Sequence, residues 1–403
     1  MASALGTTTG APGAGPGVEA TRLPGLDAAR ALAVGLVIAV HALLPFMQTP
    51  VGWAIRDRPR HELVDLTVWV TRAFVMPVFF WLSGFLAHGA LERRGLADFV
   101  RQRIARVGLP LLLIVWPNSL ALGALWDLGR ALQPRPAVAA QLPQLRGTGL
   151  TVSLGHLWFL YYLLLVSAGA VALVLASRAA RGALAGPRRL PALVAGRRPD
   201  RALSLLGPLA LALPLAALLL SAGKLQLDTP LSFAIDPVIG LAFGLFFAWG
   251  WRAQGRPERL AAYGRWAWVY LAVALALLAV IVPSLRASAA APGPPAGGGA
   301  AGEPPLAALA ASAAFSTLTT AAFIGLCHRR FTRRRRSVEL LARASYFCYI
   351  VHLPLLVALQ IALVRRTWPA TLKYGAALGC TLGTCLLSYA AFAAISDRLA
   401  RRC

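Results

Sequence analysis

Acidic residues are scarce in this chain. Asp and Glu number 15 against 40 Lys and Arg, and charged residues make up only 14% of the 403 positions. So little charge does not solvate the surface of an ordinary globular domain. A formal charge of +25 would point to nucleic acid in a soluble protein. Here, though, no surface interleaves basic and aromatic residues, so no nucleic-acid partner is expected. Cysteine is also scarce: Cys327, Cys348, Cys380, Cys385 and Cys403. No two form Cys-x-x-Cys and most lie in apolar runs, which argues for small buried thiols and against a disulfide framework or metal site. The phosphate-binding pattern Gly-x4-Gly-Lys-Ser/Thr is missing. No serine or cysteine sits in a nucleophile motif, which favours direct transfer over a covalent enzyme intermediate. No internal repeat suggests the inverted halves of a transporter. The first residues are rich in Gly, Ala, Pro and Thr without an apolar core, so residues 1–21 are expected to be a disordered tail and not a signal peptide.

What is abundant is apolar. Hydrophobic residues reach 58% and the mean hydropathy is +0.65. Runs long enough to span a bilayer fall at about 26–46, 63–88, 104–126, 154–177, 203–222, 231–251, 264–284, 306–327, 344–364 and 371–395. The expected fold is therefore all-α, a polytopic membrane bundle of about ten transmembrane helices. Arginines crowd alternate gaps, as in Arg93 to Arg106, Arg178 to Arg201 and Arg329 to Arg343. By the positive-inside rule this is a multi-pass cell-membrane protein with both termini cytoplasmic. An odd number of spans would break the alternation. The membrane domain is expected over 22–396, with a Pro/Gly-rich outer loop at about 286–305 and a cytoplasmic tail at 397–403.

The first run, Leu26 to Phe46, carries Asp27, Arg30 and His41. Arg30 and His41 are eleven residues apart, which is about three helical turns, so they share one face with about 16 Å of rise between them. Ionisable groups inside a membrane are functional candidates by default. The topology then sets depth. His41, Asp65, Arg72, His156 and Asp236 could converge in the outer half, with Trp158 beside His156 and His352 at mid-depth of the ninth run. A carboxylate beside His41, from Asp65 or Asp236, would hold its tautomer for general-base work on a hydroxyl. Structural readings stand beside these: His156 and Trp158 as an aromatic belt, His352 as a helix–helix hydrogen bond, Asp236 as a cap before Pro237. Toward the cytoplasm, Arg30 and the arginines after the second run, Arg103 and Arg106 among them, would suit a phosphorylated donor such as a coenzyme A ester.

Four stretches taken in order resemble the acyltransferase 3 family of membrane-bound acyltransferases. They are Leu26-Asp27 through Arg30 to His41; MPVFFWLSGFL from Met76 with Phe99, Arg103, Arg106 and Pro110; Gly155 to Leu160; and SYFCYIVHLPLL from Ser345. The second and third look most similar to the branch containing glucan biosynthesis protein C. The resemblance implies a ten-helix bundle that moves an acyl group from cytoplasmic acyl-CoA to a hydroxyl of a carbohydrate-type acceptor. That acceptor would be a glucan, a wall or surface polysaccharide, or a glycosylated metabolite. His41 would be the catalytic histidine and Arg30 its essential partner, and Ser83, Arg103 and Arg106 are donor-side candidates. Acyl-CoA would be a substrate, with no permanently bound cofactor and no metal. The alternative is a transporter or flippase for a glycan or lipid-linked substrate that uses the same intramembrane charges. The Arg-x10-His pair within the ordered set favours the enzyme.

Overall fold

Each apolar run becomes one helix. The computed structural model describes residues 23–49, 51–133, 152–183, 201–290 and 304–400. The expected tail at 1–21, most of the outer loop and residues 401–403 lie outside these. In chain order the helices are α1 Pro24–Leu43, α2 Glu62–Arg103, α3 Leu109–Leu132, α4 Trp158–Ala183 and α5 Arg201–Ala222. Then come α6 Pro237–Ala253, α7 Pro257–Ala290, α8 Leu306–Arg330, α9 Arg336–Val364 and α10 Ala370–Ala400. No strand occurs among the described residues. The protein is an all-α polytopic membrane bundle. Among the described residues seven stretches are long and apolar enough to cross a membrane, one of them the 71-residue Glu62–Leu132 that joins α2 to α3. The apolar parts of α5 and α6, Leu206–Ala222 and Pro237–Ala253, are shorter.

Several boundaries depart from the hydropathy reading. The arginine-rich segment after the second run is helical, not a loop. It turns at Gly95, whose φ of 79° and ψ of 175° suit glycine alone, and then passes through a π-turn at Ile104–Gly108. The sixth run loses its first residues because Asp236 caps α6, its side chain accepting from the amides of Val238 and Ile239, with Pro237 at the first helical position. Pro208 and Pro214 interrupt the apolar pattern of α5 without ending the helix.

α8 is the axis of the bundle. Of its apolar window 78% is buried, against 11% for α10 at the periphery. Its sequence LAALAASAAFSTLTTAAFIGL explains why: small side chains let neighbouring backbones approach where no hydrophobic effect drives helices together. The hydroxyls of Ser316, Thr317, Thr319 and Thr320 donate to carbonyls, Thr320 to Ser316 at 2.7 Å and Ser316 to Ala73 of α2 at 2.5 Å. Glycines serve the same purpose between α2 and α6. A Cβ on Gly250 would stand 1.9 Å from the carbonyl oxygen of Trp81, and one on Gly84 would stand 2.0 Å from that of Phe247. Gly250→Ala is therefore expected to lower the thermal midpoint in detergent by the equivalent of about 1–3 kcal/mol or more, despite alanine's better helix propensity. Gly35→Ala, whose Cβ would meet nothing within 4 Å, is the control and should not lower it. An unchanged midpoint for Gly250→Ala contradicts the close packing.

Candidate active site

His41 lies in the last turn of α1, and its ring is fixed by a partner 311 positions away. His41 Nδ1 lies 3.1 Å from Nε2 of His352 on α9. His352 Nδ1 in turn lies 2.7 Å from the carbonyl oxygen of Tyr349. The tautomers follow by elimination, because a carbonyl can only accept. His352 carries its proton on Nδ1, so its Nε2 is an acceptor. His41 must donate from Nδ1, and in the neutral ring that leaves Nε2 with a lone pair. Two flat contacts hold the ring in plane: Trp53 is stacked at 5.7 Å between centroids and His352 at 5.3 Å.

His156 joins from the start of α4. Its ring packs edge-on against His352 at 5.0 Å, and its Nε2 donates to the carbonyl of Ile350 at 3.0 Å. The hydroxyl of Tyr349 donates back to the carbonyl of His156. The turn that delivers His156 needs Gly155, which sits at φ 51° against Leu122. His156 Nδ1 and both amide atoms of the neighbouring Asn118 are buried without a protein partner. Among the described residues no His, Cys, Asp or Glu side chains are grouped to hold a metal ion.

His41, His156, Tyr349 and Trp158 line a cavity of about 380 Å³, which Trp53 and Trp126 help to wall. The loop that carries Trp53 is pinned from three sides. The Asp65 carboxylate accepts from the amides of Gln48 and Thr49 at 2.7 and 2.8 Å. The amide of Gln133 pairs with both backbone groups of Arg56. The buried pair Lys373–Asp57, at 2.9 Å, ties the loop to α10. Gln360 of α9 completes the wall. Its oxygen accepts from Trp53 Nε1 at 2.8 Å, and its nitrogen donates to the carbonyl of His41 at 3.0 Å. That carbonyl is one of the four that a helix end leaves unpaired.

The residues singled out in the sequence divide into three groups. His41, His156, His352 and Trp158 meet, and Arg72 opens into the same cavity. The two carboxylates do not meet His41. Asp65 holds the loop backbone and Asp236 caps α6, so His41 has an imidazole partner in place of the expected carboxylate. The third group lies at the other end of α1. Arg30 pairs with Asp27 at 3.3 Å and, along the helix, is about 16 Å from His41. Arg103 donates to the carbonyl of Ser83 at 3.3 Å and lies over the Phe99 ring at 5.3 Å. The carbonyl of Arg106, in the π-turn, accepts from the Tyr346 hydroxyl at 2.7 Å.

Trp53, Gln360 and Thr229 are site residues that the sequence reading passed over. Gln360 had a usable signal: it is the one hydrogen-bonding side chain in the apolar stretch Leu353–Val364. Trp53 and Thr229 stand in loops, where no periodicity marks them. Gln360→Leu would leave Trp53 Nε1 and the His41 carbonyl without partners at a buried site. A loss of about 1–3 kcal/mol is expected, read as a lower thermal midpoint; an unchanged midpoint contradicts this bridging role.

A family model described as an acyltransferase domain matches residues 23–390. No curated protein and no solved structure matches the chain. The matched region takes in the histidine cluster, the Arg30–Asp27 pair and the arginines of the π-turn, and it sets acyl transfer above transport. The protein is a multi-pass membrane acyltransferase, and the chain belongs to the acyltransferase 3 family.

Proposed function

We propose that the protein is an O-acyltransferase that moves an acyl group from cytoplasmic acyl-CoA to a hydroxyl of a carbohydrate-type acceptor, with His41 as general base. The observation that carries this reading is the His41–His352 hydrogen bond, which commits Nδ1 and leaves Nε2 for the cavity. The acceptor occupies the cavity beside the tryptophans, whose faces suit sugar rings. His41 Nε2 takes the hydroxyl proton as the oxygen attacks the thioester carbonyl. His352 keeps the hydrogen bond from Nδ1 while the ring carries the proton. When the tetrahedral intermediate collapses, the C–S bond breaks and the sulfur leaves with the proton from Nε2. The products are an ester and the free thiol of coenzyme A. Arg30, Arg103 and Arg106, at the end of the bundle assigned to the cytoplasm, attract the donor phosphates, and the extended thioester arm crosses toward His41. Both termini then face the cytoplasm of a cell membrane.

The test joins two measurements. Mass spectrometry of envelope glycans and secreted metabolites, with and without the gene, identifies the acceptor and the added mass. His41→Ala should then lose that product by about 10²-fold or more while remaining folded and inserted. Acylation at the wild-type rate in His41→Ala contradicts the general-base role.

A further inference from the structure

Arg72 is the guanidinium that the mechanism above leaves unused. It projects from α2 as an exposed side chain and lines the cavity that His41 and His156 also line. It also borders a smaller recess of about 50 Å³ on its other side. Among the described residues its one side-chain hydrogen bond is long, 3.4 Å to the hydroxyl of Thr229. Among the described residues lining the two cavities there is a single carboxylate, Asp228, which acts on Arg72 through space while bonded to Lys224. Trp69 and Ser312 flank the recess, and Trp69 Nε1 and Ser312 Oγ are buried without a partner. Beside Arg72, then, stand two further donors, Trp69 Nε1 and Ser312 Oγ, that a bound acceptor could satisfy.

A guanidinium that lines a cavity with little opposite charge around it is best complemented by an opposite charge on the bound molecule. A neutral polyol would not supply that charge. A carboxylate or a phosphate would, and its paired oxygens match the guanidinium fork. We propose that the Arg72 end of the cavity binds an anionic group, a carboxylate or a phosphate, of the molecule being processed. That substrate assignment rests on the acyl-transfer reading; the anion site itself does not. Two sources share this chemistry: a charged acceptor, or the far end of a transferred acyl group that bears its own carboxylate.

The experiment uses the full chain in detergent, with malonate and inorganic phosphate as probes and acetamide as the neutral control. Both anions should raise the thermal midpoint of the wild type and of His41→Ala in a dose-dependent way, and acetamide should not. The rise should vanish in Arg72→Gln. No rise in the wild type, or the same rise in Arg72→Gln, overturns the proposal. If Arg72→Gln cannot be obtained folded, protection carries the test. Malonate or phosphate should slow phenylglyoxal modification of Arg72 several-fold in the wild type, read by peptide mass spectrometry, and unslowed modification overturns it. The product mass separates the sources, because either the acceptor or the added acyl group must carry the anion. A product with neither overturns the substrate assignment. The two readings fail separately: an active enzyme that binds neither anion sinks the anion site alone. Acylation by His41→Ala at the wild-type rate sinks the general base alone.

Discussion

A hydrogen bond between two imidazoles, His41 on α1 and His352 on α9, is the contact on which the site depends. In an apolar bundle every polar group needs a partner, and the partners here form a short directed chain. The Tyr349 carbonyl fixes the proton of His352, and His352 fixes that of His41. Direction matters more than strength, because it decides which nitrogen of His41 faces the cavity. An imidazole partner performs this orienting role without bringing a second charge into the bundle interior, where a carboxylate would carry a desolvation cost.

The fold can be read as the means of bringing α1 and α9 together at that depth. α8 supplies an axis of small residues, and glycines on α2 and α6 let those helices touch backbone to backbone. Acidic groups are then spent at helix ends and loops. Asp236 caps α6, Asp65 and Asp57 hold the loop of Trp53, and Asp27 pairs with Arg30. The cavity is left with bases, aromatic walls and one guanidinium. The same economy of acids was visible in the composition, and the structure gives it a use.

The order of the helices was largely legible in the sequence, because a bilayer demands long apolar runs and arginines mark the gaps between them. The structure sets His41, His156 and His352 side by side, where the sequence put the first two in the outer half and the third at mid-depth. The identity of the His41 partner was not legible. A carboxylate is the common orienting group, and Asp65 and Asp236 stood at compatible depths. For Asp236 the step before Pro237 did offer the cap reading that the structure shows, but nothing in the local sequence reveals that the amides of Gln48 and Thr49 claim Asp65; both are local demands that outrank a distant imidazole. The breaks at Gly95 and in the π-turn were equally hidden, the first in a stretch whose charges read as a loop and the second at the start of the third apolar run.

Replacing His352 tests the account most directly. With the acceptor identified, acyl-transfer rates should be compared for His352→Leu and His352→Gln in protein shown to be folded. Leucine removes the acceptor for His41 Nδ1, and kcat should fall by about 10² or more with little change in KM. Glutamine offers a carbonyl oxygen close to the lost Nε2 and should recover a substantial part of that rate. A His352→Leu enzyme that turns over like the wild type would mean that the imidazole pair does not orient the base.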